Sequence, residues 1–290
     1  MKFHKYHGLG NDYIVIDPEE TDSDLTPETI KLICDRNYGA GSDGILYGPE
    51  IIGDVFGLKI FNPDGSEAEK SGNGLRIFSR YLWEKRLVKD IGFKIKTPGG
   101  TVISQVYDRG NFVRIEMGKV SFDSADIPVA GEIGECIQKK LEVGGKTFSY
   151  NAATVGNPHC VIIMDDINPN IAKTYGPLLE THEKFPNRTN VQFVKIIDDS
   201  TIQIEIWERG AGYTLASGSS STAAAAVACR LARCGRSIRV KMQGGELTID
   251  ITDDFYATMA GPVAPVFDGD FREEFIEELK KRAAADKNNL

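Results

Sequence analysis

Two serines stand at matching positions in two stretches that resemble each other. Ser71 is followed by Gly72 and Ser217 by Gly218, and the two serines lie 146 positions apart. Each Ser-Gly pair comes after an apolar segment and a polar loop, and each precedes a long segment with helical spacing of apolar residues. A helix start presents backbone N–H groups and a partial positive charge, so two such starts predict a receptor for a carboxylate.

The chemistry that suits this pair is proton transfer at the α-carbon of an amino acid. If both helix starts face one bound amino acid, a side chain at each start could remove a proton from one face and deliver one to the other. The N–H groups would stabilise the negative charge that develops on the carboxylate. The plainer alternative is that both serines are only helix N-caps, a position that serine favours.

The elements that would position these serines are repeated in the chain. The offset of 146 recurs between Gly10 and Gly156, and the same order of strands and helices follows each glycine. A repeat of this length indicates domain duplication. We therefore predict an α+β fold of two pseudo-symmetric domains, with an active site in the cleft between them. The predicted domains are residues 1–120 and 121–268, followed by a C-terminal helix or tail over 269–290.

Several elements can be predicted individually. Lys2–Tyr6 reads as a strand followed by a loop over residues 7–12, and Thr26 as the N-cap of a helix that runs to about Asp35. The helix after Ser71 is expected to carry an apolar stripe, and the helix after Ser217 to reach Ala232. The residues of the stripe are Leu75, Phe78, Leu82 and Leu87.

Composition narrows the class of protein. The chain has 290 residues, a formal charge of −8 and five cysteines without C-x-x-C spacing. The charge argues against a nucleic-acid partner, and no apolar run approaches the roughly 20 residues that span a membrane. The N-terminus lacks the apolar core of a signal peptide, so a cytoplasmic location is expected. The sequence has no zinc-like cysteine spacing, no P-loop and no dinucleotide fingerprint, so these motifs suggest no metal or cofactor site.

Six short motifs follow one another along the chain. They are His7-Gly8-Leu9-Gly10-Asn11-Asp12, Asn62-Pro63-Asp64-Gly65-Ser66-Glu67, Gly72-Asn73-Gly74-Leu75-Arg76, Gly156-Asn157-Pro158-His159, Glu208-Arg209-Gly210-Ala211-Gly212 and Gly218. In this order they resemble the motifs of the diaminopimelate epimerase family, and the resemblance runs from about residue 2 to Phe267. The resemblance implies a two-domain fold and interconversion of LL- and meso-diaminopimelate, on the lysine and peptidoglycan pathway, without pyridoxal phosphate or metal. It also implies a homodimer, with Phe267 near the interface.

The same resemblance implies a role for each matching residue. Ser71 and Ser217 take the two acid/base positions, and His159 and Glu208 match the residues that assist them. The positions that match substrate contacts, including the backbone N–H groups that hold the reacting carboxylate, are Asn11, Asn62, Gly72, Asn73, Asn157, Asn190, Arg209, Gly218 and Ser219.

Several of these residues could instead have a purely structural role. Asn11 and Asn157 could be turn residues. His159 could be a histidine that is hydrogen-bonded within the core. Glu208 and Arg209 could be a solvated ion pair at a strand end.

The sequence departs from the family at the acid/base positions, where the family has cysteine. A thiol has a pKa of about 8.5, which a helix N-terminus lowers further, whereas a serine hydroxyl needs an adjacent base. Three explanations stay open: two deliberate Cys-to-Ser changes, a natural variant with altered or weak chemistry, or loss of catalysis with amino-acid binding retained. Tyr213 and Lys70 also differ, because the family more often has an acid and an uncharged residue there.

Three functions follow from these observations. The first is epimerisation of diaminopimelate, impaired by the two serines. The second is amino-acid binding without catalysis, and the third is isomerisation of a different amino acid. In each case the expected partner is a small-molecule amino-acid substrate.

Overall fold

The computed structural model describes residues 1–21 and 25–287. The chain divides into two compact units. One contains residues 1–115 and the segment that follows Gly261, and the other is Glu116–Gly261. Each unit combines sheet strands with α-helices. The predicted α+β class is confirmed.

The first stretch of the chain alternates strands with two α-helices, and Thr26 caps the first helix as predicted. Its elements are β1 (Lys2–Gly8), β2 (Asn11–Ile16), α1 (Pro27–Cys34), β3 (Ile45–Ile52), β4 (Val55–Phe61), β5 (Glu67–Ala68), α2 (Gly72–Glu84), β6 (Phe93–Thr97), β7 (Gly100–Tyr107) and β8 (Phe112–Lys119).

The second stretch repeats this order after one additional strand. Its elements are β9 (Lys139–Val143), β10 (Lys146–Thr154), β11 (Pro158–Ile163), α3 (Pro169–Glu180), β12 (Asn190–Asp198), β13 (Thr201–Glu208), β14 (Gly212–Thr214), α4 (Gly218–Arg230), β15 (Ser237–Met242), β16 (Gly245–Ile251) and β17 (Tyr256–Pro262).

Strand pairing is the same in both repeats. β1 and β2 are antiparallel, β2 and β3 parallel, β3 and β4 antiparallel, and β4 and β6 parallel. β10 and β11, β11 and β12, β12 and β13, and β13 and β15 pair in the same four senses. An antiparallel hairpin follows in each, β6 with β7 and β15 with β16. The internal duplication read from the sequence is therefore present in the topology.

The chain ends with β18 (Ala264–Asp270) and α5 (Glu273–Lys287). β18 runs antiparallel to β1, and α5 packs against α1. Phe271 stacks on Phe275, and Leu279 is buried. The predicted tail is thus a docked helix as far as residue 287, and residues 288–290 lie outside the described residues.

The helices that follow the two serines are largely buried. In α2 the predicted apolar residues Leu75, Phe78 and Leu82 are fully buried. The inclusion of Leu87 in the stripe is wrong, because the helix ends at Glu84 and the backbone reverses at Arg86, where φ is 59°. Leu87 is 42% exposed.

Two predicted boundaries also need correction. The loop expected over residues 7–12 is only Leu9 and Gly10, whose φ values of 60° and 87° form a two-residue hairpin turn between β1 and β2. The helix after Ser217 ends at Arg230 and does not reach Ala232, whose φ of 53° lies in the left-handed region. Both boundaries depend on local left-handed backbone that apolar periodicity does not report.

Candidate active site

Ser71 caps α2, and its hydroxyl has two neighbours. The Oγ accepts a hydrogen bond from the backbone N–H of Gly74 at 3.0 Å, and the phenol oxygen of Tyr13 lies 3.2 Å away. Ser71 has extended backbone, which an N-cap residue requires. Ser71 is therefore an N-cap, and its hydroxyl also meets a phenol, so the cap does not account for all of its contacts.

Asn11 and Asn73 come together beside this helix start. The Asn73 side-chain amide donates to Asn11 Oδ1 at 3.0 Å, and the Asn11 amide donates to Asp43 at 2.9 Å. Asp43 also pairs with Arg36 at 2.7 Å. The interpretation of Asn11 as only a turn residue is wrong, because its side chain joins the α2 start to a charged pair.

Asn62 occupies a turn at the end of β4. Its backbone N–H donates to the Ser66 carbonyl at 2.8 Å, and its side-chain amide donates to Ser66 Oγ at 3.0 Å. Its role in substrate contact stays a prediction.

Arg76, one turn into α2, is a buried cation to which sequence reasoning assigns no role. Its guanidinium is fully buried and donates to the Gly72 carbonyl at 3.4 Å. Gly8 makes room for it, since a Cβ on Gly8 would lie 3.1 Å from Arg76 Nη2. Burial lowers the pKa of Arg76 to about 10, which leaves it charged at neutral pH. The signal in the sequence is an arginine beside the apolar stripe of a buried helix.

Ser217 caps α4 as Ser71 caps α2. Its Oγ accepts the backbone N–H of Ser220 at 3.3 Å. Glu208 is a half-buried residue at the end of β13, and its carboxyl lies near the hydroxyls of Ser217 and Thr214. Burial raises the pKa of Glu208, and the two nearby hydroxyls offset this only in part. The interpretation of Glu208 as half of a solvated ion pair is wrong, because its carboxyl lies beside the helix start and out of bulk solvent.

His159 is held on both ring nitrogens. Nε2 meets Asn157 Oδ1 at 2.9 Å, and the Gln192 amide donates to Nδ1 at 3.1 Å and to Ser220 Oγ at 3.0 Å. An accepting Nδ1 places the proton on Nε2. Burial is the main reason that the pKa of His159 falls to about 3, so the ring is neutral across the physiological range. The interpretation as a hydrogen-bonded core histidine describes these contacts well.

The other predicted substrate contacts of the second repeat form two pairs. The Asn157 amide approaches Ser219 Oγ at 3.5 Å. The side-chain Oδ1 of Asn190 accepts the backbone N–H of Arg209 at 3.0 Å, and the exposed guanidinium of Arg209 donates to the backbone carbonyl of Asn187 at 3.0 Å. Asn157 and Ser219 each lie 146 positions after Asn11 and Asn73, so the two pairs are equivalent in the two repeats.

The two helix starts differ in their titratable neighbours. Tyr13 and His159 are equivalent by the offset of 146, as are Asn62 and Glu208. In the first repeat the phenol of Tyr13 reaches the serine. In the second repeat the carboxyl of Glu208 does so, while His159 is engaged by Asn157 and Gln192. Each serine therefore contacts one acidic group, but from a different position in the repeat.

The two further departures from the family pattern have distinct surroundings. Tyr213 donates its phenol proton to the buried carboxylate of Glu205 at 2.7 Å, and the Lys173 ammonium lies 4.8 Å from the centre of its ring. Burial and Glu205 raise the pKa of Tyr213. Lys70 precedes Ser71, and burial lowers its pKa.

We expect His159 to make the stability of the protein pH-dependent. Its pKa falls from 6.5 when unfolded to about 3 when folded, so the unfolded chain binds the extra proton first. The stability is fully present above pH 6.5 and is lost as the pH falls towards 3, by about 1.4 kcal/mol per pH unit. Urea unfolding at pH 7, 6, 5 and 4 should show a steeper decline for the wild type than for His159→Gln. His182→Gln, outside this cluster, is the control, and equal slopes for wild type and His159→Gln would contradict the assignment.

Within the two described ranges, 1–21 and 25–287, no three His, Cys, Asp or Glu side chains are grouped so as to hold a metal ion. In the same residues, no helix has the length and apolar character needed to cross a membrane.

Comparison with known proteins decides the family. The sequence profile described as "Diaminopimelate epimerase" matches residues 3–122 and 151–266. A Nostoc protein named diaminopimelate epimerase 2 is 59% identical over 277 residues, which cover 95% of this chain and 97% of that one. The chain belongs to the diaminopimelate epimerase family. A second member of the diaminopimelate epimerase family, from Pelotomaculum thermopropionicum, is 38% identical and covers 93% of this chain and 99% of its own.

The diaminopimelate epimerase fold extends to more distant proteins. The structure of a probable proline racemase from Agrobacterium radiobacter superposes with a TM-score of 0.69 at 13% identity, covering 94% of this chain and 93% of that chain. At this identity the likeness concerns the fold alone. The two segments matched by the family profile correspond to the two repeats.

Proposed function

We propose that the chain is a cofactor-independent amino-acid epimerase that interconverts LL- and meso-diaminopimelate, and that the two serines make it slow. The observation that carries the proposal is the position of the half-buried Glu208 carboxyl near Ser217, the N-cap of α4, in a chain where Ser71 holds the equivalent place on α2. A carboxyl whose pKa is raised by burial is the kind of group that accepts a proton near neutral pH.

The proposed reaction needs one proton acceptor and one proton donor on opposite faces of the α-carbon. We assign Ser217 with Glu208 to one face and Ser71 to the other. The backbone N–H groups at Gly72, Asn73, Gly218 and Ser219 belong to first helical turns, where such groups point out of the helix end. They are assigned to the reacting carboxylate, whose negative charge grows as the α-proton leaves.

The other predicted contacts are assigned to the distal end of the substrate. The amides of Asn11, Asn62, Asn157 and Asn190 suit an ammonium and a carboxylate together, since an amide both donates and accepts. The exposed guanidinium of Arg209 can bind a carboxylate through two parallel hydrogen bonds.

Amino-acid binding without catalysis is a second candidate, favoured by one observation. Both serine hydroxyls already accept the N–H of the third helical residue, which is a complete structural role. Under this alternative the substrate binds and no α-proton moves.

Conversion and binding measurements separate these candidates. We expect LL-diaminopimelate to raise the unfolding temperature and to be converted to the meso isomer at high enzyme concentration, as followed by chiral chromatography. Proline, glutamate and lysine serve as matched ligands. Protection without conversion would support the binding alternative, and protection by another amino acid alone would show that the substrate is not diaminopimelate.

We also propose a cytoplasmic homodimer, as the family resemblance implies. The half-exposed apolar side chains of Val266 and Phe267 on β18 support a partner surface there. A sedimentation mass equal to one chain would contradict the dimer.

A further inference from the structure

Tyr13 is a buried tyrosine of β2 to which nothing in the family comparison assigns a role. Its side chain is 7% exposed, and its phenol oxygen lies 3.2 Å from Ser71 Oγ. Ser71 Oγ also accepts the backbone N–H of Gly74 at 3.0 Å. If Tyr13 donates to the same oxygen, the proton of Ser71 is left to point to a third partner.

The strand fixes this contact. Asn11 and Tyr13 are two residues apart on β2 and so lie on one face of the strand. Both reach the start of α2, since Asn11 bonds to Asn73 and Tyr13 meets Ser71. Gly44 makes room for the ring, because a Cβ at that position would lie 2.7 Å from Tyr13 Cε1. The phenol is therefore held in place by the strand and by its close neighbour.

Serine needs such a partner if it is to transfer a proton. An isolated serine that gives up its proton becomes an alkoxide, which water at neutral pH does not sustain. A phenol has an ordinary pKa of about 10, so the negative charge is better placed on it. The contact between Tyr13 and Ser71 provides a path for that transfer of charge.

We propose that Tyr13 is the proton-relay partner of Ser71, an inference that rests on the proposed epimerase function. In the donating direction, the Ser71 proton forms the new C–H bond at the α-carbon, and the Tyr13 proton passes to Ser71 as its own O–H bond breaks. Tyr13 is left as the phenolate. In the reverse direction, Ser71 takes the α-proton while its own proton returns to the Tyr13 phenolate.

The two helix starts thereby gain partners of different acidity. Ser217 has a carboxyl, Glu208, and Ser71 has a phenol. Tyr13 acts through Ser71 and is in that sense a positioning residue. The position equivalent to Tyr13 in the second repeat is His159, whose ring nitrogens are engaged elsewhere.

The test is Tyr13→Phe, in the wild-type chain and in a Ser71→Cys chain. Deuterium incorporation at the α-carbon of diaminopimelate in D₂O gives kcat and KM. We expect Tyr13→Phe to lower kcat about 100-fold beside the native Ser71, with KM changed less than about 3-fold. In the Ser71→Cys chain the same change should alter kcat less than about 3-fold, because a thiol needs no phenol to carry the charge.

Tyr6→Phe is the matched control, because Tyr6 is a buried tyrosine paired with Tyr13 across β1 and β2 whose hydroxyl bonds to Glu84. Equal losses in both backgrounds would make Tyr13 merely structural and overturn the proposal. Absence of exchange by the wild type would also overturn it. In that case thermal protection by diaminopimelate would show whether the substrate assignment itself still stands.

Discussion

Replacing both serines by cysteine is expected to raise the rate of diaminopimelate epimerisation about 1,000-fold. The Ser71→Cys and Ser217→Cys changes put thiols at the N-termini of α2 and α4. A thiol has a pKa of about 8.5, and the partial positive charge of a helix start favours the thiolate. Each cysteine can then accept or donate the α-proton directly. The initial rate of LL-to-meso conversion measures the effect.

The same double change should lower stability. Each serine hydroxyl accepts a backbone N–H at its helix start, and losing such a cap costs about 1 kcal/mol. Urea unfolding should therefore show a loss of about 2 kcal/mol while activity rises. Each single variant is the control, and we expect less gain from either alone because one face keeps its serine. A double variant that folds and binds diaminopimelate but stays inert would contradict the acid/base assignment.

Glu208→Gln is expected to lower the rate of α-proton exchange about 100-fold. The amide keeps the shape of the side chain but cannot accept the proton that leaves through Ser217. The wild-type rate should itself fall with acidification, as the pH passes down through the raised pKa of Glu208 and the carboxyl becomes neutral. Exchange measured from pH 4 to pH 8 gives both effects.

The effect of Glu208→Gln on stability has the opposite sign. The folded pKa lies above the unfolded value, so the carboxyl favours folding at low pH, and this contribution is lost as the pH rises through the folded pKa. At neutral pH the neutral amide should therefore increase the free energy of unfolding. Glu205→Gln is the matched control, since Glu205 is a buried carboxylate on the same strand that bonds to Tyr213 and Gln243. Activity that survives Glu208→Gln, with the same pH profile as the wild type, would exclude Glu208 as the base.

Local signals in the sequence predict much of this fold. A hydroxyl side chain indicates the start of three of the helices, because it satisfies N–H groups that the first turn leaves without a partner. The residues are Ser71, Ser217 and Thr26. The constant offset of 146 predicts that the two repeats contain the same elements in the same order. The pairing of strands in the two repeats follows that prediction.

Local sequence signals do not predict contacts between segments that are far apart in the chain. The approach of Tyr13 to Ser71 joins residues 58 positions apart, and the buried Arg76 depends on the absence of a Cβ at Gly8. The return of β18 to pair with β1 joins the two ends of the chain. The sequence pattern at each of these places fits an ordinary strand or helix, and only the packed structure reveals the neighbour.

The protonation state of His159 is another property that the sequence does not predict. His159 stands in a motif that implies catalysis, yet its ring is neutral and bonded at both nitrogens by Asn157 and Gln192. Gln192 is fully buried on β12, and no spacing in the sequence links it to the motif. The environment that decides the charge of a buried ring is set by tertiary packing.

We propose that this duplicated chain moves the α-proton of diaminopimelate with two serines at the acid/base positions. The most direct measurement is mass spectrometry of LL-diaminopimelate held with the wild-type chain at high concentration in D₂O. We predict that one deuterium enters each α-position that reacts and that the meso isomer accumulates. No deuterium uptake by the wild type, under conditions where the doubly cysteine-substituted chain exchanges rapidly, would contradict the claim.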